Sequence, residues 1–136
     1  MPLFYVSWLV IGAIAVVPLL IFAEKLPPRA MHKLLGRSLI IAAIIYIGFA
    51  LIWGNTQWLL IEIFGVGVYA IFYWASLKWG IIWLSLGWLL HPVWDIAIHL
   101  FGPGIEVVPA GYAVACVSFD IAVAVYIARK HRVLRM

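Results

Sequence analysis

Apolar runs of roughly 20 residues follow one another almost without interruption along this chain, and roughly that length is what a bilayer-crossing helix needs. Five segments qualify, at about 3–23, 37–53, 58–77, 81–100 and 111–128. The second has an alternative start near Ala30, because Pro27-Pro28 stops one helix before another begins. With 68% of its 136 residues hydrophobic and 10% charged, a water-soluble domain of this size would leave far too much apolar surface outside. The expected fold is an all-α integral membrane protein, one domain over residues 1–136 with five transmembrane helices. Gly54-Asn55-Thr56-Gln57 and Lys78-Trp79-Gly80 read as tight turns, and Gly102-Pro103-Gly104 as turn chemistry in a longer connection. Short connections make neighbouring helices antiparallel.

Five spans put the two termini on opposite sides. With the first loop inside, Lys25, Arg29, Lys33, Arg37, Lys78, Arg129, Lys130, Arg132 and Arg135 all fall on the cytoplasmic side. The reverse assignment violates the positive-inside rule at every one of them, so the N-terminus is expected outside and the C-terminus inside. A four-span chain would split the basic first loop from the basic tail. The net charge of +4 thus reports topology, and nucleic acid is excluded as a partner. No basic region precedes the first apolar run, which reads as a retained span. The single cysteine, Cys116, rules out an internal disulfide. Trp8, Trp53, Trp58, Trp79 and Trp83 fall near the predicted interfaces, as an aromatic belt does. Ala42, Gly48, Gly65 and Gly67 read as small residues that let helices approach, and Pro18 as a kink.

Against this background five ionisable residues stand out: Glu62, His91, Asp95, His99 and Asp120. A charge in hydrocarbon costs at least ~2.5–3.5 kcal/mol, so an intramembrane acid is a functional-site hypothesis by default. Residues four apart share a helix face, so His91, Asp95 and His99 form one stripe about 12 Å long. Tyr112, Cys116 and Asp120 form a second stripe on the fifth span, and Glu62, Tyr69 and Tyr73 share a face of the third. Under the predicted topology all five ionisable groups lie between the midplane and the outer surface, which predicts one polar pocket open toward that side. Pro92 cannot donate to the carbonyl of Trp88, which predicts a bend beside His91. Each residue also has a plain structural reading: Asp95 and Asp120 as interhelical hydrogen-bond nodes, His99 and Glu62 as groups near the rim, Cys116 as a small packer.

The C-terminal half, on His91, Trp94, Asp95 and His99 followed by Gly102, Pro109, Cys116 and Asp120, resembles over about a third of the chain a family of small bacterial integral membrane proteins of unknown function with an H-x-x-W-D-x-x-x-H motif. The resemblance implies that the His/Asp run and the later Cys/Asp pair serve one site. It also implies a multi-pass protein of a bacterial inner membrane, and it brings no activity with it.

Three functions follow. The first is an enzyme doing acid–base chemistry, with or without a metal, on a lipophilic, isoprenoid-like substrate. His91, Asp95, Asp120 and Glu62 would be catalytic, and Trp88, Trp94, Tyr69, Tyr73 and Tyr112 would line the substrate cavity. Isomerisation, cyclisation or hydration of a membrane lipid would fit. The second is a divalent transition-metal site (zinc, iron or manganese) on His91, Asp95 and His99, with Glu62 and Asp120 as further donors; His91 and His99 are far apart for one ion, which would need His91 and Asp95, or Asp95 and His99, completed from other helices. Heme would require an opposing histidine from a second chain. The third is a proton-coupled transporter, or an accessory subunit acting as a homo-oligomer or within a larger membrane complex.

Overall fold

The computed structural model describes residues 2–100, 102–103 and 107–134; Gly104, Glu106 and Arg135 lie outside them. The described residues are helical, with no strand among them. The helices are α1 (Pro2–Glu24), α2 (Pro28–Trp53), α3 (Thr56–Trp79), α4 (Ile82–Trp94) and α5 (Ala110–Leu134). A π-helical segment, Asp95–Leu100, continues α4 without a break. Four of these helices, α1, α2, α3 and α5, are long and apolar enough to cross a membrane. The α4 stretch falls short of that length because its regular part ends at Trp94, after which the hydrogen-bond spacing widens.

Local chemistry sets the boundaries. Pro28 opens α2 at a position where its missing N–H has no partner to lose. The Asn55 side chain caps α3 by accepting from Trp58 N at 3.0 Å. Gly80 ends α3 at φ 127°, a backbone conformation that a side chain disfavours. Helix α1 runs through Pro18 to Glu24. Helix α5 continues well past the apolar stretch into the basic tail, because a helix can outlast the hydrocarbon that its middle crosses.

The helices pack in the order α1, α5, α4, α3, α2, and the ring closes only weakly where α2 returns to α1. On α2 the buried residues Met31, Leu35, Leu39, Ala43, Tyr46 and Ala50 recur every three or four positions, one stripe turned inward. The outward faces are strongly apolar: Leu3 is 78% exposed, Phe64 68% and Leu51 67%. Apolar surface that extensive belongs against lipid. Lys130 Nζ meets Glu24 Oε1 at 2.7 Å, the Tyr126 hydroxyl lies 3.6 Å from Met31 Sδ, and His32 Nε2 meets Ser76 Oγ at 2.7 Å, so the ends of α1, α3 and α5 and the start of α2, with the basic residues near them, lie on one side of the bundle.

Of the glycines expected to carry close packing Gly65 does so, while Gly48 and Gly67 do not, and the tightest approaches include Gly12 and Gly36. A Cβ on Gly12 would run into the Ala115 carbonyl and the Ser118 hydroxyl, so α1 touches α5 backbone there, and one on Gly36 would enter the Tyr73 ring. A Cβ on Gly65 would meet Trp94 at 3.2 Å, as a packing role requires. Gly48 and Gly67 face open space, because they lie on the outward sides of α2 and α3.

Candidate functional site

Two apolar clusters fill the bundle. One, around Leu35, Leu39, Leu84, Trp88, Val123 and Ile127, occupies the half with the basic ends. The other, around Tyr46, Ala50, Val107, Val108 and Ala113, occupies the opposite half. Glu62, His91, Asp95, His99 and Asp120 are all buried, none more than 2% exposed, in a polar layer between them. Burying so many ionisable groups is costly unless they satisfy one another.

They do so as two pairs and a remainder. His91 Nδ1 lies 2.7 Å from Asp120 Oδ2, joining α4 to α5. His99 Nε2 lies 3.2 Å from Glu62 Oε2 and 3.4 Å from Oε1, joining the π-helical segment to α3, and Trp94 Nε1 donates to Glu62 Oε1 at 3.1 Å. Asp95 Oδ2 sits 3.6 Å from His91 Nδ1, beyond hydrogen-bonding distance. The Tyr46 hydroxyl and the Asp95 carboxylate face each other, yet neither closes a hydrogen bond. His91 Nε2 and the Tyr69 hydroxyl are likewise without a hydrogen bond.

The π-helical segment starts at Asp95, whose N–H is shared between the carbonyls of His91 and Pro92. Helix α4 runs through Pro92, where a bend was expected, to Trp94, and the helix widens only beyond it, from Asp95, a feature frequent at functional sites. It keeps Asp95 and His99 on the buried face.

Aromatic rings wall the layer. Tyr46 stacks on His91 with ring centres 5.3 Å apart and meets His99 edge-on at 5.1 Å. Tyr69 meets His91 edge-on at 5.0 Å. Tyr46 escaped the sequence reading, although a lone hydroxyl on the buried stripe of an apolar helix is a readable signal. Tyr73 stands apart: its ring packs against Gly36 and lies 6.2 Å from His32, a turn beyond Tyr69 toward the basic end. His99 is directed to Glu62, with the Trp58 ring 6.1 Å away, so among the described residues the His91, Asp95 and His99 ligand set expected on one helix stripe does not assemble. Instead His91, Asp95 and Asp120 each offer one atom within 4.8 Å of the others.

Beside this layer a cleft of about 510 Å³ runs along the weak seam between α1 and α2, floored by α4 and α5. Its walls include Ile11, Ala15, Ile41, Ala42, Trp88 and Phe119. Asp120, the carboxylate bonded to His91, lies on its floor with Cys116 and Tyr112 beside it. Ile11 and Ile41, about half exposed, mark where the cleft opens sideways through the lipid-facing surface. Trp88 is fixed in the wall by Nε1 donating to the Leu35 carbonyl at 3.2 Å. The cleft opens laterally between two helices and is apolar; of the five ionisable residues Asp120 alone is among its lining residues, so it is not the single polar pocket expected.

No curated protein and no solved structure matches the chain. Residues 6–132 match the model of a family of unknown function, DUF6010, and since that covers nearly the whole sequence, the chain belongs to this family.

Proposed function

We propose that the chain crosses the inner membrane of a bacterium five times, N-terminus outside and C-terminus inside, and catalyses acid–base chemistry on an isoprenoid-like lipid. The fifth crossing is α4 with its π-helical continuation, Ile82 to Leu100. The observation that carries the reading is that the one acid lining an apolar, laterally open cleft is also hydrogen-bonded to a buried imidazole. Pockets of this size and lining suit an apolar ligand held by a few polar groups. An open α1–α2 seam lets a lipid enter without leaving hydrocarbon.

The chemistry that needs nothing further is movement of a double bond. The His91–Asp120 pair gives a proton to one alkene carbon, leaving a carbocation on its neighbour. The faces of Trp88 and Phe119 stabilise that cation. The same pair then removes a proton from the adjacent carbon, so the site returns to its starting protonation and the product is an isomer. Asp95, Glu62 and His99 position the pair from behind. The test is to incubate the detergent-solubilised protein with a polyisoprenoid extract and follow double-bond position by mass spectrometry and NMR. Wild type should convert a component of the extract, and Asp120→Asn, folded, should not. A folded wild type that alters no lipid refutes the reading.

A further inference from the structure

Among the described residues, the buried side-chain atoms without hydrogen-bond partners belong to one neighbourhood: both Asp95 oxygens, His91 Nε2, the Tyr46 and Tyr69 hydroxyls, and Glu62 Oε2, which His99 approaches. Native interiors leave few such atoms, and a cluster of them marks a place where an ion or water belongs. Charge points the same way. With His91 paired to Asp120 and His99 to Glu62, Asp95 is the carboxylate left over, fully buried in an apolar bundle. A proton on Asp95 would balance the charge. It would still leave the Asp95 carboxyl without a hydrogen-bond partner.

We propose that His91, Asp95 and Asp120 form a binding site for one divalent transition-metal ion (zinc, iron or manganese). One imidazole and two carboxylates give the mixed nitrogen and oxygen donor set these ions take, and two carboxylates neutralise a divalent charge. An ion ~2.0–2.2 Å from each donor needs donor atoms roughly 3.0–3.6 Å apart. His91 Nδ1 and Asp95 Oδ2, at 3.6 Å, already meet that spacing. The 2.7 Å contact between His91 and Asp120 is a hydrogen bond in the metal-free site, and the ion replaces its proton as the link between them. The donors come from α4, the start of the π-helical segment and α5, so the site depends on the widened helix that turns Asp95 inward. Three protein ligands leave a coordination position open, and Asp120 puts it at the cleft floor, where a water held by the ion would give and take the proton that the His91–Asp120 pair carries in the metal-free site. That role in turnover rests on the proposed function; binding of the ion does not.

The experiment is elemental analysis of protein carrying no histidine tag, purified in mild detergent without chelator. It is repeated after chelator stripping and reloading with Zn²⁺, Mn²⁺ or anaerobic Fe²⁺. About one ion per chain should survive desalting. Asp95→Asn and His91→Gln should lose at least ~10-fold in affinity for the ion, while His99→Gln keeps its content. Reloading the stripped wild type should raise its unfolding temperature, a readout that stands even if the Asp95 variant does not fold. Wild type holding less than ~0.1 ion per chain in every arm, or Asp95→Asn holding as much as wild type, overturns the metal site. An ion bound at full occupancy with no lipid converted would confirm the site and refute the catalytic reading instead.

Discussion

Glu62 is assigned here to positioning rather than to the cleft, and its removal has a magnitude the structure sets. In Glu62→Ala the Trp94 Nε1–H loses its acceptor at 3.1 Å, and His99 Nε2 loses carboxylate oxygens at 3.2 and 3.4 Å. In a water-soluble protein, breaking a buried pair from one side costs about 3–5 kcal/mol. Interhelical side-chain hydrogen bonds in membranes average only about 0.6 kcal/mol, with a maximum near 1.7, because the unfolded state in the bilayer also finds partners. Two such contacts, one of them charge-assisted, put Glu62→Ala at about 2–3 kcal/mol. Glu62→Gln keeps an acceptor for Trp94 and loses only the charge facing His99, so its cost should be about 1 kcal/mol. The two effects on His99 are shared, so Glu62→Ala combined with His99→Ala should cost less than the sum of the singles by about 1 kcal/mol. Reversible unfolding in mixed detergent micelles, followed by circular dichroism, measures all four variants against wild type. Glu62→Ala within about 0.5 kcal/mol of wild type, or Glu62→Gln as damaging as Glu62→Ala, would refute the pairing.

Three further outcomes follow from particular contacts. Gly12→Ala sets a methyl against the Ala115 carbonyl, a backbone atom that cannot rotate away, and should destabilise by about 1–3 kcal/mol in the same assay; an unchanged protein would show that α1 does not rest on α5. Ser85→Ala removes a buried bond from Ser85 Oγ to the Ala124 carbonyl at 2.7 Å and should cost about 0.6–1.7 kcal/mol; a neutral result would count against the α4–α5 packing. In a Cys116→Ser background, a cysteine placed at Leu3 should react with an impermeant maleimide added outside intact cells, and one placed at Arg132 should react only after lysis. Labelling of both from outside would refute the odd number of spans.

The helices were legible in the sequence because a bilayer demands long apolar runs. Gly80 then marked the end of α3, but the second span, expected over 37–53, starts nine residues earlier, at Pro28, as the alternative start near Ala30 anticipated: Arg29, Lys33 and Arg37 lower the hydropathy of its first turns without breaking the helix. The excess length of α5 was not legible, since hydropathy reports the surroundings of a helix rather than its hydrogen bonds. At the site, spacing along single helices placed His91 and Asp95 on one face, and depth along antiparallel neighbours put Asp120 opposite them. What spacing could not give was rotation about the helix axes. That rotation sends His99 to Glu62, sends Tyr73 to His32, and brings Tyr46 from α2 onto His91. The π-helical segment was equally hidden: Pro92 pointed to a disturbance beside His91, whereas the hydrogen-bond spacing changes only from Asp95 onward.

The central claim is that the buried His91–Asp120 pair exchanges a proton with a lipid in the lateral cleft. The most direct measurement is to hold the purified protein, with its co-extracted lipids, in heavy water and to follow the mass of each lipid. The account predicts deuterium entering carbon–hydrogen positions of an unsaturated lipid with wild type and none with folded Asp120→Asn. No incorporation with folded wild type, or equal incorporation with Asp120→Asn, would contradict it.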